Sequence, residues 1–215
     1  METKLTEAKL ETQNKLLLGI LTAGGTGALL WFLTQTGTKL STADMVNPEA
    51  VTDIAASLPQ NEDDFIMAAR QYVSDRVEYQ GYSSNLYFVN DWIKCSSCRL
   101  PETTLKLRKG NCVSMSSLLA SILRNRLPPD RVFMVVGEAR FDGIGGHAWV
   151  ECQRQNGYWY LLESTNPPNG WIPVDSMRSI YEPFALFNDK LYNCYSDEIC
   201  RVSVSSCDCR KIMLV

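Results

Sequence analysis

The stretch GIGGHAWVE, residues Gly143 to Glu151, holds the only histidine of the 215-residue chain. Two glycines precede the imidazole, and a run with strand-like alternation follows it. A ring in that position is either a packed side chain or one half of a catalytic pair. The choice turns on whether the rest of the chain offers His147 an orienting acid and a nucleophile on neighbouring elements.

The acid is a matter of strand register. HAWVECQR and YWYLLEST flank QNG, a hairpin signal. Take Gln155, Asn156 and Gly157 as a three-residue loop with Gly157 in the left-handed position. Arg154 then pairs with Tyr158, Trp149 faces Glu163, and His147 faces Thr165. His147 and Glu163 become diagonal neighbours on one face. A two-residue Asn-Gly turn would put them on opposite faces, because a one-residue slip flips every side chain. The pairing therefore requires the longer loop or a bulge. Cys152 has the parity of Ala148 and Val150, opposite to His147, and is expected to be structural.

The nucleophile candidate opens a helix. In NCVSMSSLLASILRNRLPP, Met115, Leu118, Leu119, Ile122 and Leu123 form an apolar stripe at helical spacing, and Pro128 and Pro129 end it. Asn111 is a suitable N-cap, which puts Cys112 in the first turn. A thiol there is acidified by the helix dipole and by a nearby imidazole. Upstream, LPETTLKLRKG reads as a short helix from near Pro101, stopped by Gly110. NEDDFIMAARQYVSDRVEYQG reads as a helix capped by Asn61, with Phe65, Ala69, Tyr72 and Val73 on one face. RVFMVVGEA supplies another strand. Helices first and hairpin-joined strands afterwards specify an α+β domain with an antiparallel sheet.

GNCVSMSSLLASILR, GGHAWVE and WYLLESTNPP, in that order and spacing, resemble the transglutaminase-like superfamily, whose core is similar to papain-like cysteine proteases. The lead-in LPETTLKLRKGNC resembles that of its bacterial and archaeal members. The likeness covers roughly residues 60 to 170. It implies a cysteine-proteinase-like fold, with N-terminal helices packed on an antiparallel sheet. It also implies a Cys-His-Asp/Glu triad, carried here by Cys112, His147 and Glu163. Asn111 and Glu163 both stand where family members usually have Asp. Asparagine still caps a helix, and glutamate is one methylene longer. The superfamily includes cross-linkers, peptidases, amidases and inactive scaffolds, so the resemblance leaves the substrate open.

The other segments set the context. KLLLGILTAGGTGALLWFLTQTGTK has no charge between Lys15 and Lys39, and Trp31 stands near the end of its apolar run. Residues 16–35 are expected to form a single transmembrane helix after an N-terminal tail, 1–15. Lys4, Lys9 and Lys15 before the span favour a cytoplasmic N-terminus and an extracytoplasmic C-terminal domain. Gly19, Ala23 and Gly27 form a small-residue stripe, a candidate face for a helix-mediated dimer. Residues 36–60 read as a linker, and 61–215 as the transglutaminase-like domain. A net charge of −3 gives no electrostatic case for nucleic acid.

Eight cysteines raise a separate question. Cys95 and Cys98 have C-x-x-C spacing, and Cys207 and Cys209 would complete a weak four-thiolate zinc site. In an external domain, disulfides are the simpler account, with Cys194 and Cys200 as another pair. The chemistry expected is acyl transfer through a thioester on peptide or glutamine amide bonds, with no cofactor required. Hydrolysis is favoured over cross-linking, because water far outnumbers amines at an exposed site. The alternatives are an inactive binding module of the same fold, and a zinc- or disulfide-organised protein using Cys95 and Cys98.

Overall fold

A computed structural model describes residues 38–81, 84–89, 92–95, 97–140, 144–195 and 203–207, with side chains over 40–81, 97–140 and 145–195. The tail 1–15 and the segment 16–35, with its small-residue stripe, lie outside the described residues. Among the described residues no helix is long and apolar enough to cross a membrane.

The segment expected as a linker is part of the compact unit that runs from Gly37 to the C-terminus. Strand β1 (Thr38–Ser41) leads into a one-turn helix, α1 (Thr42–Met45), whose cap Ser41 makes a capping box with Asp44. A 3-10 turn (Glu49–Val51) and helix α2 (Thr52–Ser57) follow. Met45, Val46, Val51 and Ala55 are buried in the main core. The polar composition of this stretch hid four apolar side chains at irregular spacing.

Helix α3 (Glu62–Arg76) starts where expected, with Asn61 Oδ1 accepting from the Asp64 N–H. Its first-turn acids do more than meet the dipole. Glu62 pairs with Arg131, and Asp63 with Arg154. Hydrogen bonds from those guanidinium groups hold both carboxyls below their ordinary values against the opposing effect of burial. The α3 start is thereby tied to the turn end of the hairpin.

Short strands β2 (Glu78–Tyr79), β3 (Ser84–Val89) and β4 (Trp92–Cys95) come next, then α4 (Pro101–Leu107) and β5 (Lys109–Gly110). The stop of α4 is Arg108, at φ 52°, rather than Gly110. Gly110 answers a different need: a β-carbon there would lie 2.9 Å from Ser114 Cβ.

Helix α5 (Cys112–Arg124) is buried on every side through Leu123, not only along its apolar stripe. Its serines make this possible, since buried hydroxyls need partners. Ser116 Oγ donates to the Ala148 carbonyl at 2.9 Å, and Ser117 Oγ donates to the Met45 carbonyl. Ser121 Oγ donates to the Ser117 carbonyl at 2.7 Å and accepts the Asn47 N–H at 2.9 Å.

After a 3-10 turn (Pro129–Arg131) come β6 (Val132–Arg140), β7 (Ile144–Gln153) and β8 (Trp159–Leu162). Then follow β9 (Ile172–Pro173), the one-turn α6 (Val174–Met177), β10 (Tyr181–Phe187), β11 (Tyr192–Cys194) and β12 (Ser203–Cys207). Six strands form an antiparallel sheet in the order β11-β10-β6-β7-β8-β9. A second antiparallel sheet has the order β1-β4-β3-β12. The fold is α+β, with helices packed on an antiparallel sheet.

Candidate active site

The hairpin adopts the three-residue loop. Gly157 has φ 83°, and the Arg154 N–H donates to the Tyr158 carbonyl. The register Val150↔Leu162 through Gln153↔Trp159 follows. Extended one residue toward the open end, it sets Trp149 opposite Glu163. His147 is the fourth residue of β7 rather than its head. Gly145 and Gly146 lie within the strand, paired with Ala139 and Glu138, so they are not a loop.

His147 Nε2 lies 2.6 Å from Glu163 Oε2. The other oxygen, Oε1, accepts the Thr165 N–H at 2.9 Å and its hydroxyl at 2.7 Å. The Tyr181 hydroxyl donates to Oε2 at 3.4 Å. Burial by itself would raise the Glu163 carboxyl. Attraction to a protonated His147, with the hydrogen bonds from His147 and Thr165, outweighs that and holds it below its ordinary value. Glu163 is thus an anion, and Nε2 is the donor of the pair. Burial, with the Glu163 charge and its hydrogen bond, pushes the Tyr181 hydroxyl far up, so it stays a donor.

Cys112 is a buried thiol at the first position of α5. Asn111 Oδ1 accepts the Ser114 N–H at 3.0 Å and the Ser114 hydroxyl at 3.1 Å. Ser114 Oγ in turn accepts the Arg99 N–H at 3.0 Å. The lead-in loop is thereby stitched to the helix start. The β7–β8 ladder covers Val150 onward, so Ala148 and His147 lie beyond it. There Ser116 reaches the Ala148 carbonyl. β6 leaves from the C-terminal end of α5 and runs antiparallel to β7, so α5 and β7 run the same way. Cys112, one turn before Ser116, therefore lies toward the His147 end of β7. Cys112, His147 and Glu163 are 0%, 1% and 3% exposed, so they sit beneath the surface.

Tyr181 is a residue of this site that the sequence offers only as core or, with Trp171, Phe184 and Phe187, as the lining of a substrate groove. It belongs to the aromatic run WIPVDSMRSIYEPFALFND, which reads as core, and Phe184 and Phe187 are indeed buried there. Trp171 instead sits partly exposed under the Arg154 guanidinium, 4.2 Å from its ring centre. Only the fold shows that the Tyr181 hydroxyl meets Glu163.

Cys98 and Cys194 are disulfide-bonded. The expectation of Cys98 as a zinc ligand is corrected by this, because zinc needs a thiolate. The side chains of Cys95, Cys207 and Cys209, the other three candidates, lie outside those described, as does Cys200. Among the described residues no group of three or more His, Cys, Asp or Glu is arranged to hold a metal.

Cys152 packs with Ala148 and Val150 in the core, on the face opposite His147. Burial is the main influence that pushes its thiol up to about 12. Iodoacetamide at pH 8 is expected to leave Cys152 unmodified in the folded protein and to label it fully in denaturant. Peptide mass spectrometry reads both states. Labelling of native Cys152 would show that the sheet opens there.

The transglutaminase-like superfamily model matches residues 49–176, more than half of the chain. The chain belongs to the transglutaminase-like superfamily. No curated protein matches the sequence. Among solved structures, Legionella pneumophila LapG in an EGTA-treated form is 10% identical, with 78% of this chain and 93% of that one covered and a TM-score of 0.48. Calcium-bound LapG is 12% identical, covering 70% and 88%, with a TM-score of 0.45. A provisional cysteine protease from Cytophaga hutchinsonii is 18% identical, covering 69% and 46%, with a TM-score of 0.44. Membership of the superfamily rests on the family match, not on these distant likenesses.

Proposed function

We propose that this chain is a transglutaminase-like cysteine hydrolase that cleaves peptide or glutamine amide bonds through a thioester. The observation that carries the reading is the buried 2.6 Å contact between His147 Nε2 and the Glu163 carboxylate. A carboxylate so placed fixes the ring and favours the imidazolium. With Nε2 turned to Glu163, Nδ1 is the nitrogen that serves the Cys112 thiol.

Nδ1 takes the thiol proton, and the thiolate adds to the amide carbonyl carbon. The Cys112 N–H, at the helix start, donates to the developing oxyanion. The imidazolium then protonates the leaving amine as the C–N bond breaks. Water, deprotonated by the same ring, cleaves the thioester and returns the thiol. The side chains supply every proton transfer, so the reaction calls for no cofactor. The partner is a peptide or protein. The disulfides at Cys98 and Cys194 support an oxidising compartment, in keeping with residues 16–35 as a membrane anchor and an extracytoplasmic domain.

The test is the pH dependence of Cys112 alkylation by iodoacetamide in the full-length protein. Wild type is expected to react well below the ~8.5 pKa of an ordinary thiol. His147→Ala is expected to abolish that low-pH reactivity. An ordinary thiol titration in both proteins would sink the proposal in favour of an inactive binding module.

A further inference from the structure

We propose that Arg178 and Glu151 are positioning residues that, through the indole of Trp149, hold the His147 ring in its working orientation. This rests on the thiolate–imidazolium reading above. Its failure and that of the reading are separable.

The structure lays the parts out in order along one face of β7. Residues of one parity in a strand share a face, so His147, Trp149 and Glu151 stand side by side. The Trp149 indole is fully buried and stacks on the imidazole, with ring centres 6.1 Å apart and planes 23° apart. Its edge meets Tyr181, with centres 5.1 Å apart. Its Nε1–H donates to Glu151 Oε1 at 3.0 Å. Glu151 is itself buried, and a buried carboxylate without a partner is costly. Arg178 provides one: Nη1 donates to Oε1 at 2.7 Å and Nη2 to Oε2 at 3.0 Å. This two-point contact fixes the plane of the carboxylate as well as its charge.

The consequence for His147 is geometric. The indole is held at its N–H by Glu151 and at its edge by Tyr181. It therefore forms a rigid wall against one side of the imidazole. Tyr181 stands against the ring too, 6.0 Å between centres, and Glu163 closes the Nε2 end. A ring so confined keeps Nε2 on Glu163. Pairing with Arg178 also offsets the charge of a second carboxylate on the same strand face, about 13 Å along from His147 at ~3.3 Å per residue. Glu163 is left as the anion that governs the ring.

Arg178 stands just beyond the matched family region, residues 49–176. It lies at the end of α6, with its side chain 36% exposed. The site is thus coupled to a side chain at the surface that takes no part in the chemistry itself.

The experiment uses the full-length protein and two readouts. One is the pH profile of Cys112 alkylation. The other is the NMR titration of carbon-13 labelled histidine, which gives one signal because His147 is the only histidine. Arg178→Gln is expected to raise the apparent Cys112 pKa by about one unit, a roughly tenfold slower reaction at pH 6. Trp149→Phe, which removes the N–H and keeps an aromatic ring, is expected to shift it the same way. Arg178→Lys keeps the charge but not the two-point contact, and should fall between Arg178→Gln and wild type. The double variant Glu151→Gln/Arg178→Gln should be no worse than Arg178→Gln alone, because the pair acts as a unit. A lower melting temperature with wild-type pH profiles throughout would overturn the positioning role while the thiolate–imidazolium pair stands. A wild-type Cys112 that titrates like an ordinary thiol would overturn both. If Arg178→Gln does not fold, Arg178→Lys decides: a wild-type profile overturns the inference, and an intermediate one upholds it.

Discussion

Replacing Glu163 by alanine is expected to slow substrate turnover roughly a hundred- to ten-thousand-fold while leaving the fold recognisable by circular dichroism. The size of the effect follows from how the carboxylate is used. Four donors converge on its two oxygens: the Thr165 N–H and hydroxyl on Oε1, and His147 Nε2 and the Tyr181 hydroxyl on Oε2. Alanine leaves the imidazole with no anion to stabilise its protonated form. The proposed Cys112 thiolate is then expected to revert to a thiol at neutral pH. Glu163→Gln is no benign substitute, because its amide turns an NH2 group toward donors on one side. Glu163→Asp keeps both acceptor oxygens, at the cost of one methylene of reach, and should retain more activity than either.

The same residue gives a stability signature. Its folded carboxyl lies below its ordinary value, so the ionised form is favoured by folding. That contribution is fully present above the ordinary glutamate range, and is lost as pH falls through the lower folded value. Urea unfolding between pH 2 and pH 6 should therefore show a shallower acid limb in Glu163→Gln than in wild type. Equal limbs would show that the His147–Glu163 pair is not charged in the folded protein.

Much of this arrangement was legible in the sequence because it rests on local rules. The Gln155–Gly157 loop fixes register, and register fixes which side chains share a face. Asn61 and Asn111 cap helices because an amide oxygen can reach the third helical N–H. Parity alone separated Cys152 from His147. What sequence reading missed depends on contacts distant along the chain. Ser116, Ser117 and Ser121 lie outside the apolar stripe of α5, yet bond to Ala148, Met45 and Ser117 within the core. Residues 36–60 read as a linker by composition, yet Met45 and Val51 are buried. No pattern announces that β10 brings Tyr181 to Glu163, or that Gly110 is glycine because Ser114 packs against it. Arg108 shows the same limit: its left-handed backbone ends α4 at a residue type that gives no such signal.

Gly137→Ala is expected to be the most destabilising single methyl addition around the site, by about 3 kcal/mol or more, with loss of Cys112 reactivity. Gly137 lies in β6 directly across from His147. On its other side it pairs with Pro183 of β10, where the register shifts before Ala185. That irregularity carries the chain over the glycine. A β-carbon at position 137 would lie 2.0 Å from the Glu182 carbonyl oxygen and 2.7 Å from Trp149 Cη2. The first neighbour is backbone in the sheet and cannot swing aside. The second is the indole that packs on His147, so any relief in that direction moves the imidazole. Gly157→Ala is the matched control. Its φ of +83° imposes strain of roughly 1–2 kcal/mol, but nothing lies within 4 Å of the added carbon. Urea unfolding should rank Gly137→Ala well below Gly157→Ala in stability, and only the former should disturb the His147 NMR titration. Equal stability losses would mean that β10 can retreat from β6. The close approach that walls the imidazole would then not be a fixed feature of the fold.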